Sequence, residues 1–393
     1  MSMWEIFKTF FILGCISFGG PAAHIGYFRT TFVDRLAWLN EKKYADIVAL
    51  SQFLPGPGSS QVGFAIGYHR GGLAGAVFAF LGFTLPSIVL MLLLVMSAAQ
   101  LMESTVFLSV IHGLKLLAVV VVFDAVLGMY KNFCKDNTRI FLCVFSACVM
   151  LMWPGILSQL LVLISAGVIG CLLLKPSQDN IPKKTTHHLL KGLGRTINYA
   201  PLILFLLLLL LLPFFVQHSP FLQVFADFFQ AGSFVFGGGH VVLPLLESIV
   251  EGQIAPDQFL TGYAIAQAVP GPMFTFATYI GYFILPNSPV LSALIATAAV
   301  FLPGFLLLLS CLKNWKKISE LPHLAAAISG VNAAVVGLLI SALYQPVFSS
   351  AVFNGIDMAM VLIGVYFLKC KQLPIVALVA LFALAGGALS LLY

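Results

Sequence analysis

The sequence predicts an all-α polytopic membrane protein made of two homologous halves in inverted orientation, each with two broken, re-entrant helical hairpins and about four spanning helices. Three observations carry that prediction. The 393 residues are 60% hydrophobic and only 9% charged, with a mean hydropathy of +1.03, whereas soluble domains carry roughly 25% charge. So little polar surface cannot coat a water-facing particle of this size, and a single anchoring helix would not absorb the excess. The second observation is an internal repeat whose two copies keep a nearly constant offset along the chain, and the third is the placement of the 20 basic residues, which fixes a sidedness.

The spanning elements are helices. Residues 73 to 102 carry no charge and 202–212 is almost pure leucine, whereas a membrane barrel alternates over segments of roughly ten residues. Hydropathy predicts spans at 73–98, 105–130, 138–153, 155–174, 197–216, 290–312, 325–345, 351–368 and 374–391. Two further regions, 5–70 and 222–284, are apolar but interrupted by glycine and proline. In a membrane such breaks are tolerated where the freed backbone groups line a protected cavity.

Charge sets the topology. With the basic linker in the cytoplasm (Lys175, Lys183, Lys184, Lys191, Arg195), threading outward places every other Lys and Arg on the same side except Lys8 and Lys115. The loops at 217–220, 285–289 and 346–350 fall outside and contain no Lys or Arg. The organisation expected is an N-terminal repeat 1–174, a cytoplasmic linker 175–196, a helix 197–216 that inverts the topology, and a C-terminal repeat 217–393. The N-terminus lacks the basic start and small-residue cleavage site of a removable signal. The seven cysteines are odd in number and without CxxC spacing, so they read as apolar helix residues rather than a disulfide framework or metal site.

The repeat is ordered. Phe18-Gly19-Gly20-Pro21 matches Phe236-Gly237-Gly238-Gly239, and Gln52-x-x-Pro55-Gly56-Pro57 matches Gln267-x-x-Pro270-Gly271-Pro272. Gly67-Tyr68, Leu85-Pro86 and Gly113-x-Lys115 match Gly281-Tyr282, Leu302-Pro303 and Gly330-x-Asn332. The stretch 29–43 carries four basic residues while its counterpart 247–257 carries Glu247, Glu251 and Asp257 and none. Equivalent loops therefore face opposite sides, as in secondary transporters with a midplane site between inverted repeats.

In the first half, arms at 5–18 and 22–37 and at 43–54 and 58–69 flank two breaks. Each arm is too short to cross a core of roughly 20 residues, so both pairs read as re-entrant, with the breaks at depth. A half-helix that starts inside the membrane presents unpaired N–H groups and the positive end of its dipole, which suits an anion. Pro21 and Pro57 fit a first turn because proline lacks the N–H that would be orphaned there. Ser59, Ser60 and Gln61 follow the second break as neutral polar groups, and Thr275 and Thr278 take a similar place in the second half. A packing kink would account for one such break; four breaks in two matched pairs favour a site for a tetrahedral oxyanion.

Among ionisable residues, Lys115 lies mid-helix beside His112, either lining a cavity or snorkelling to an interface. Asp124 is out of phase with it and is expected to face another helix or a proton path. His24 and His240 follow the first breaks and titrate in a useful range when unperturbed, although a packing role is open for each. Candidate substrate-binding residues are Phe18, Gly19, Gly20, Pro21, His24, Gln52, Pro55, Gly56, Pro57, Ser59, Ser60, Gln61 and Lys115 in the first half, and Gly237, Gly238, Gly239, His240, Gln267, Pro270, Gly271 and Pro272 in the second. No metal or cofactor is implied. The chain carries no H-E-x-x-H, G-x-S-x-G or phosphate-binding loop, which argues against an enzyme or an ATP-driven pump. Its basic residues sit in short loops and imply no nucleic acid; the bilayer is the partner expected, and a homodimer is compatible.

The run Ser17-Phe18-Gly19-Gly20-Pro21 with Phe32-Val33 and Trp38, then Gln52-x-Leu54-Pro55-Gly56-Pro57 with Gln61, then Leu85-Pro86-Ser87, resembles the first half of the chromate ion transporter family. The series Phe236-Gly237-Gly238-Gly239, Ala266-Gln267-x-x-Pro270-Gly271-Pro272 and Phe301-Leu302-Pro303 resembles its second half, and Ile254 stands where the family often has Trp. The resemblance covers nearly the whole chain in the long, two-domain form. It implies a bacterial inner-membrane protein that exports chromate, confers chromate resistance and draws on the proton motive force as an antiporter. Sulfate or another anion as the substrate, or a passive anion channel, are the alternatives. Chromate and sulfate are tetrahedral dianions of similar size, and chromate comes from the resemblance alone.

Overall fold

The computed structural model describes residues 2–101, 104–174, 198–236, 239–250, 252–315 and 321–389, which form sixteen α-helices and no strand. The linker 175–196 and two of the candidate site residues, Gly237 and Gly238, lie outside the described residues. In chain order the first half contributes α1 (Met3–Ile16), α2 (Gly20–Arg29), α3 (Glu41–Phe53), α4 (Gly58–Leu101), α5 (Thr105–Phe133), α6 (Asn137–Met152) and α7 (Ile156–Leu173). Next come α8 (Tyr199–Leu211), α9 (Pro220–Ser233), α10 (Val242–Val250), α11 (Pro256–Ala268) and α12 (Phe276–Ile284). The last four are α13 (Pro289–Cys311), α14 (Pro322–Ala342), α15 (Gly355–Lys369) and α16 (Ile375–Leu389).

By length and composition, α4, α5, α7, α13 and the stretch that begins with α14 are long and apolar enough to cross a membrane. The expected spans at α6, α8, α15 and α16 are shorter, at 13 to 16 residues. Local sequence explains several helix starts. Asn40 caps α3 through Lys43 N at 2.8 Å. Asp136 and Asn354, which are equivalent positions of the repeat, cap α6 and α15 through Arg139 N at 2.9 Å and Ile356 N at 2.8 Å.

The first-half hairpins return to the end they start from. α4 is interrupted at Gly71-Gly72, where Gly72 has φ +61°, and its two arms fold back so closely that a Cβ on Gly67 would meet Ala79 Cβ at 2.6 Å. Met3, at the start of α1, lies against Gly71. Trp38, beyond the end of α2, sits under Arg70, with the guanidinium 5.1 Å from its ring centre. The entry of α1, the exit of α2 and the turn of α4 therefore share one end of the molecule. The hairpin is held by a ring cluster, with Phe10 stacked on Phe32 at 4.8 Å and Phe28 edge-on to Phe83 at 5.0 Å. In a bilayer such contacts act through packing, since lipid tails are as apolar as the rings.

The two halves are interlocked by exchange of helices. α5 of the first half packs on α15 and α16 of the second, while α14, its counterpart, packs on α6 and α7 of the first. Small residues allow both crossings. Gly113 meets Gly386, a Cβ on the latter lying 3.1 Å from Gly113 Cα, and Gly330 meets Gly170, with a Cβ on Gly170 lying 3.0 Å from Gly330 Cα. The repeat's Gly113 and Gly330 are thus the glycines at these crossings.

Candidate functional site

The site is built from the four breaks, which the fold brings to one place in the interior. Gly56 N donates to Val235 O at 2.7 Å, and Gly271 N donates to Ser17 O at 2.7 Å. Ser17 and Val235 are equivalent positions of the repeat, and so are Gly56 and Gly271, so each half's Pro-Gly-Pro break is hydrogen-bonded to the other half's first break. Gly56 has φ +117° and Gly271 φ +98°, a region that favours glycine. Contact is tight as well, because a Cβ on Gly56 would lie 2.8 Å from Gly304 Cα. Gln61 Nε2 donates to Pro55 O at 2.9 Å and across the halves to Gly304 O at 3.0 Å. Ser87 Oγ donates to Pro270 O at 2.6 Å.

Helix starts at the breaks follow from the proline positions. α2 opens with Gly19 as its N-cap at φ +98° and Pro21 in its first turn. In α4 the first intrahelical bond runs from Gln61 N to Pro57 O at 2.9 Å, so Gly58, Ser59 and Ser60 form the turn whose amides are free of helical partners. His24 on α2 is fully buried, with Nδ1 3.2 Å from Ser59 Oγ and its ring edge-on to Phe83 at 5.3 Å. Ser17 Oγ, His24 Nε2, Ser60 Oγ, Gln61 Oε1 and Thr84 Oγ1 are buried and make no hydrogen bond among the described residues.

The second half is arranged differently. Thr275 and Thr278, expected to resemble the serines of the first half, spend their hydroxyls locally. Thr275 Oγ1 donates to Pro272 O at 2.8 Å, and Thr278 Oγ1 pairs with Thr297 Oγ1 at 2.7 Å. His240 Nδ1 is 2.9 Å from the Tyr263 hydroxyl. Gln267 lies against the Tyr263 side chain and makes a long contact with Met273 Sδ at 3.9 Å, with no bond across the halves like that of Gln61 to Gly304 O among the described residues.

Lys115 is buried and ion-paired with Asp257, at the start of α11 in the other half. The other two ionisable side chains of α5's interior also pair across the halves. His112 Nε2 lies 2.8 Å from Asp357 Oδ1, and Asp124 pairs with Lys369. At the exposed end of α2, Arg29 is held bidentately by Glu41, both contacts at 3.0 Å. Sequence reasoning missed Ser17, Thr84 and the carboxylate partners of α5; the Leu85-Pro86 and Leu302-Pro303 match was the signal that Ser87 and Gly304 belong to the centre.

Two homologous all-helical halves whose breaks meet in the interior define a two-domain membrane transport protein. The chain belongs to the chromate transporter family, whose model matches residues 4–171 and again 222–388, and this is a transport family, not an enzymatic one. It is 28% identical over 343 residues to the chromate transport protein of Pseudomonas aeruginosa, covering 86% of this chain and 80% of that one. A chromate transport protein of Cupriavidus metallidurans is also 28% identical, over 350 residues, with 86% and 81% covered. An uncharacterized transporter of Methanocaldococcus jannaschii shows 28% identity over 347 residues, with 86% and 83% covered. No solved structure matches the chain.

Proposed function

We propose that this protein is a secondary transporter that exports a tetrahedral oxyanion, chromate first, from the cytoplasm across a bacterial inner membrane. The observation that carries the reading is the convergence of the four breaks, joined by the reciprocal bonds Gly56 to Val235 and Gly271 to Ser17. Helix starts, glycine backbone and buried hydroxyls in one protected place supply hydrogen-bond donors for an oxyanion without a metal. Relatives named for chromate transport support chromate over sulfate.

Alternating access by inverted halves is supported by how α4 and α13 cross. Phe80 touches Phe301 at 5.1 Å and Phe305 at 5.0 Å, which are the counterparts of Thr84 and Ile88 rather than of Phe80 itself. That pairing is what a two-fold axis perpendicular to the helices produces, and with helices along the membrane normal the axis lies in the membrane plane. The charge asymmetry of the equivalent loops agrees, and it supports a cytoplasmic linker at 175–196. The test is uptake of labelled chromate and sulfate into everted vesicles with and without a proton gradient. Gradient-dependent accumulation is expected; uptake that only equilibrates would make the protein a channel, and no uptake of either anion would defeat the reading.

A further inference from the structure

The centre where the breaks meet is symmetric in backbone and unequal in chemistry. At the offset of the Pro-Gly-Pro motifs, Ser59, Ser60 and Gln61 correspond to Phe274, Thr275 and Phe276. At the offset of the first breaks, Ser17 and His24 correspond to Val235 and Val242, and at the offset of the Leu-Pro motifs Thr84 corresponds to Phe301. Where the first half carries polar groups, the second carries rings and valines. Its one retained hydroxyl, Thr275, is committed to Pro272 O.

On the first-half side several buried polar atoms are uncommitted. Ser17, His24 and Ser60 are 0%, 0% and 3% exposed, yet Ser17 Oγ, His24 Nε2 and Ser60 Oγ make no hydrogen bond among the described residues. An unsatisfied buried polar group is costly, and these three lie at the end of α1, on α2 and in the opening turn of α4, with His24 joined to that turn through Ser59 at 3.2 Å. In the tautomer that accepts from Ser59 at Nδ1, His24 carries its proton on Nε2, with the Ser17 backbone also against the ring, and Ser17, His24 and Ser60 are then all able to donate. Gln61 has its amide nitrogen engaged by Pro55 O and Gly304 O, leaving an acceptor oxygen that an anion does not use. The cations that the sequence places nearby are held elsewhere, Arg29 by Glu41 and Lys115 by Asp257.

We propose that each chain has a single, one-sided anion seat on the first half, formed by the opening turn of α4 with Ser17, His24 and Ser60 as neutral donors, while the second half supplies an apolar wall. This rests on the oxyanion-transport reading above and assigns the binding to one repeat rather than to both.

The experiment is calorimetric binding of chromate and of sulfate to the purified full-length protein, with elution profiles checked for each variant. One anion per chain is expected. Ser60→Ala and His24→Gln should each weaken binding about tenfold, the loss of one hydrogen bond to a charged group, whereas Ser60→Thr, which keeps the hydroxyl, should stay close to wild type. Thr275→Val and Thr278→Val should shift affinity less than about twofold, since their hydroxyls are satisfied inside the protein. Two anions per chain, or Thr275→Val costing as much as Ser60→Ala, would overturn the one-sided seat and leave the transport reading standing. Wild-type protein that binds neither anion would overturn both.

Discussion

Pro21 of the first half packs against Gly239, its own counterpart in the repeat: a Cβ on Gly239 would lie 3.0 Å from Pro21 Cγ. A residue in contact with its repeat equivalent marks the local two-fold axis, as in the isologous interface of a symmetric dimer. The reciprocal bonds of Gly56 and Gly271 flank it. Cysteines at Pro21 and Gly239, in a background lacking the seven natural ones, should cross-link on mild oxidation and lock transport until reduced. No cross-link in intact membranes would contradict the contact.

Gly56→Ala should destabilise strongly. The left-handed backbone costs an L-residue roughly 1–2 kcal/mol, and the Cβ would press on backbone at Gly304 2.8 Å away. Gly128→Ala, in α5 with nothing within 4 Å of the added methyl, should be neutral or stabilising by up to about 1 kcal/mol. Thermal unfolding of the two purified variants against wild type checks both, and equal shifts would remove the argument.

The Lys115 pair is unequal in burial, the side chains being 8% and 70% exposed for Lys115 and Asp257. Lys115→Ala leaves a solvated carboxylate, so transport should fall several-fold, through the lost tie between α5 and α11, with the membrane level unchanged. Asp257→Asn strands a buried ammonium, at a cost on the order of 1–3 kcal/mol, and should lower the level too. Immunoblots beside chromate flux separate these outcomes. Unchanged kinetics in Lys115→Ala would remove the tie from the mechanism.

Because the first hairpin enters and leaves at one end, Arg35→Cys and Ala74→Cys should react with an impermeant thiol reagent from the same face, and Gln253→Cys from the opposite one. Labelling of Arg35→Cys and Ala74→Cys from opposite faces would mean that the hairpin crosses the membrane.

Gly330→Leu should cost about as much stability as Gly113→Leu. Each glycine sits where a helix of one half crosses a helix of the other at backbone contact, and overpacking there forces the helices apart at roughly 1–3 kcal/mol or more. Denaturation midpoints are the readout, and a large loss in only one of the two would show that the crossings are not equivalent.

Much of this protein was legible in its sequence. Composition required lipid, and the Gly and Pro motifs located the breaks, because backbone conformation at a break is dictated locally by glycine and proline. The repeat even placed Gly113 and Gly330 in register. What only the tertiary structure decided is partnership. The two halves carry nearly the same helix pattern, so α5 had two matching surfaces to choose from, α6 and α7 in its own half or α15 and α16 in the other, and no local signal separates such equivalents. The fold chose the exchange, and with it gave His112, Lys115 and Asp124 their carboxylate and lysine partners in the distant half of the chain. The same packing committed the hydroxyls of Thr275 and Thr278 and left those of Ser17 and Ser60 unpaired, a distinction that depends on atoms meeting across the fold rather than on residue type.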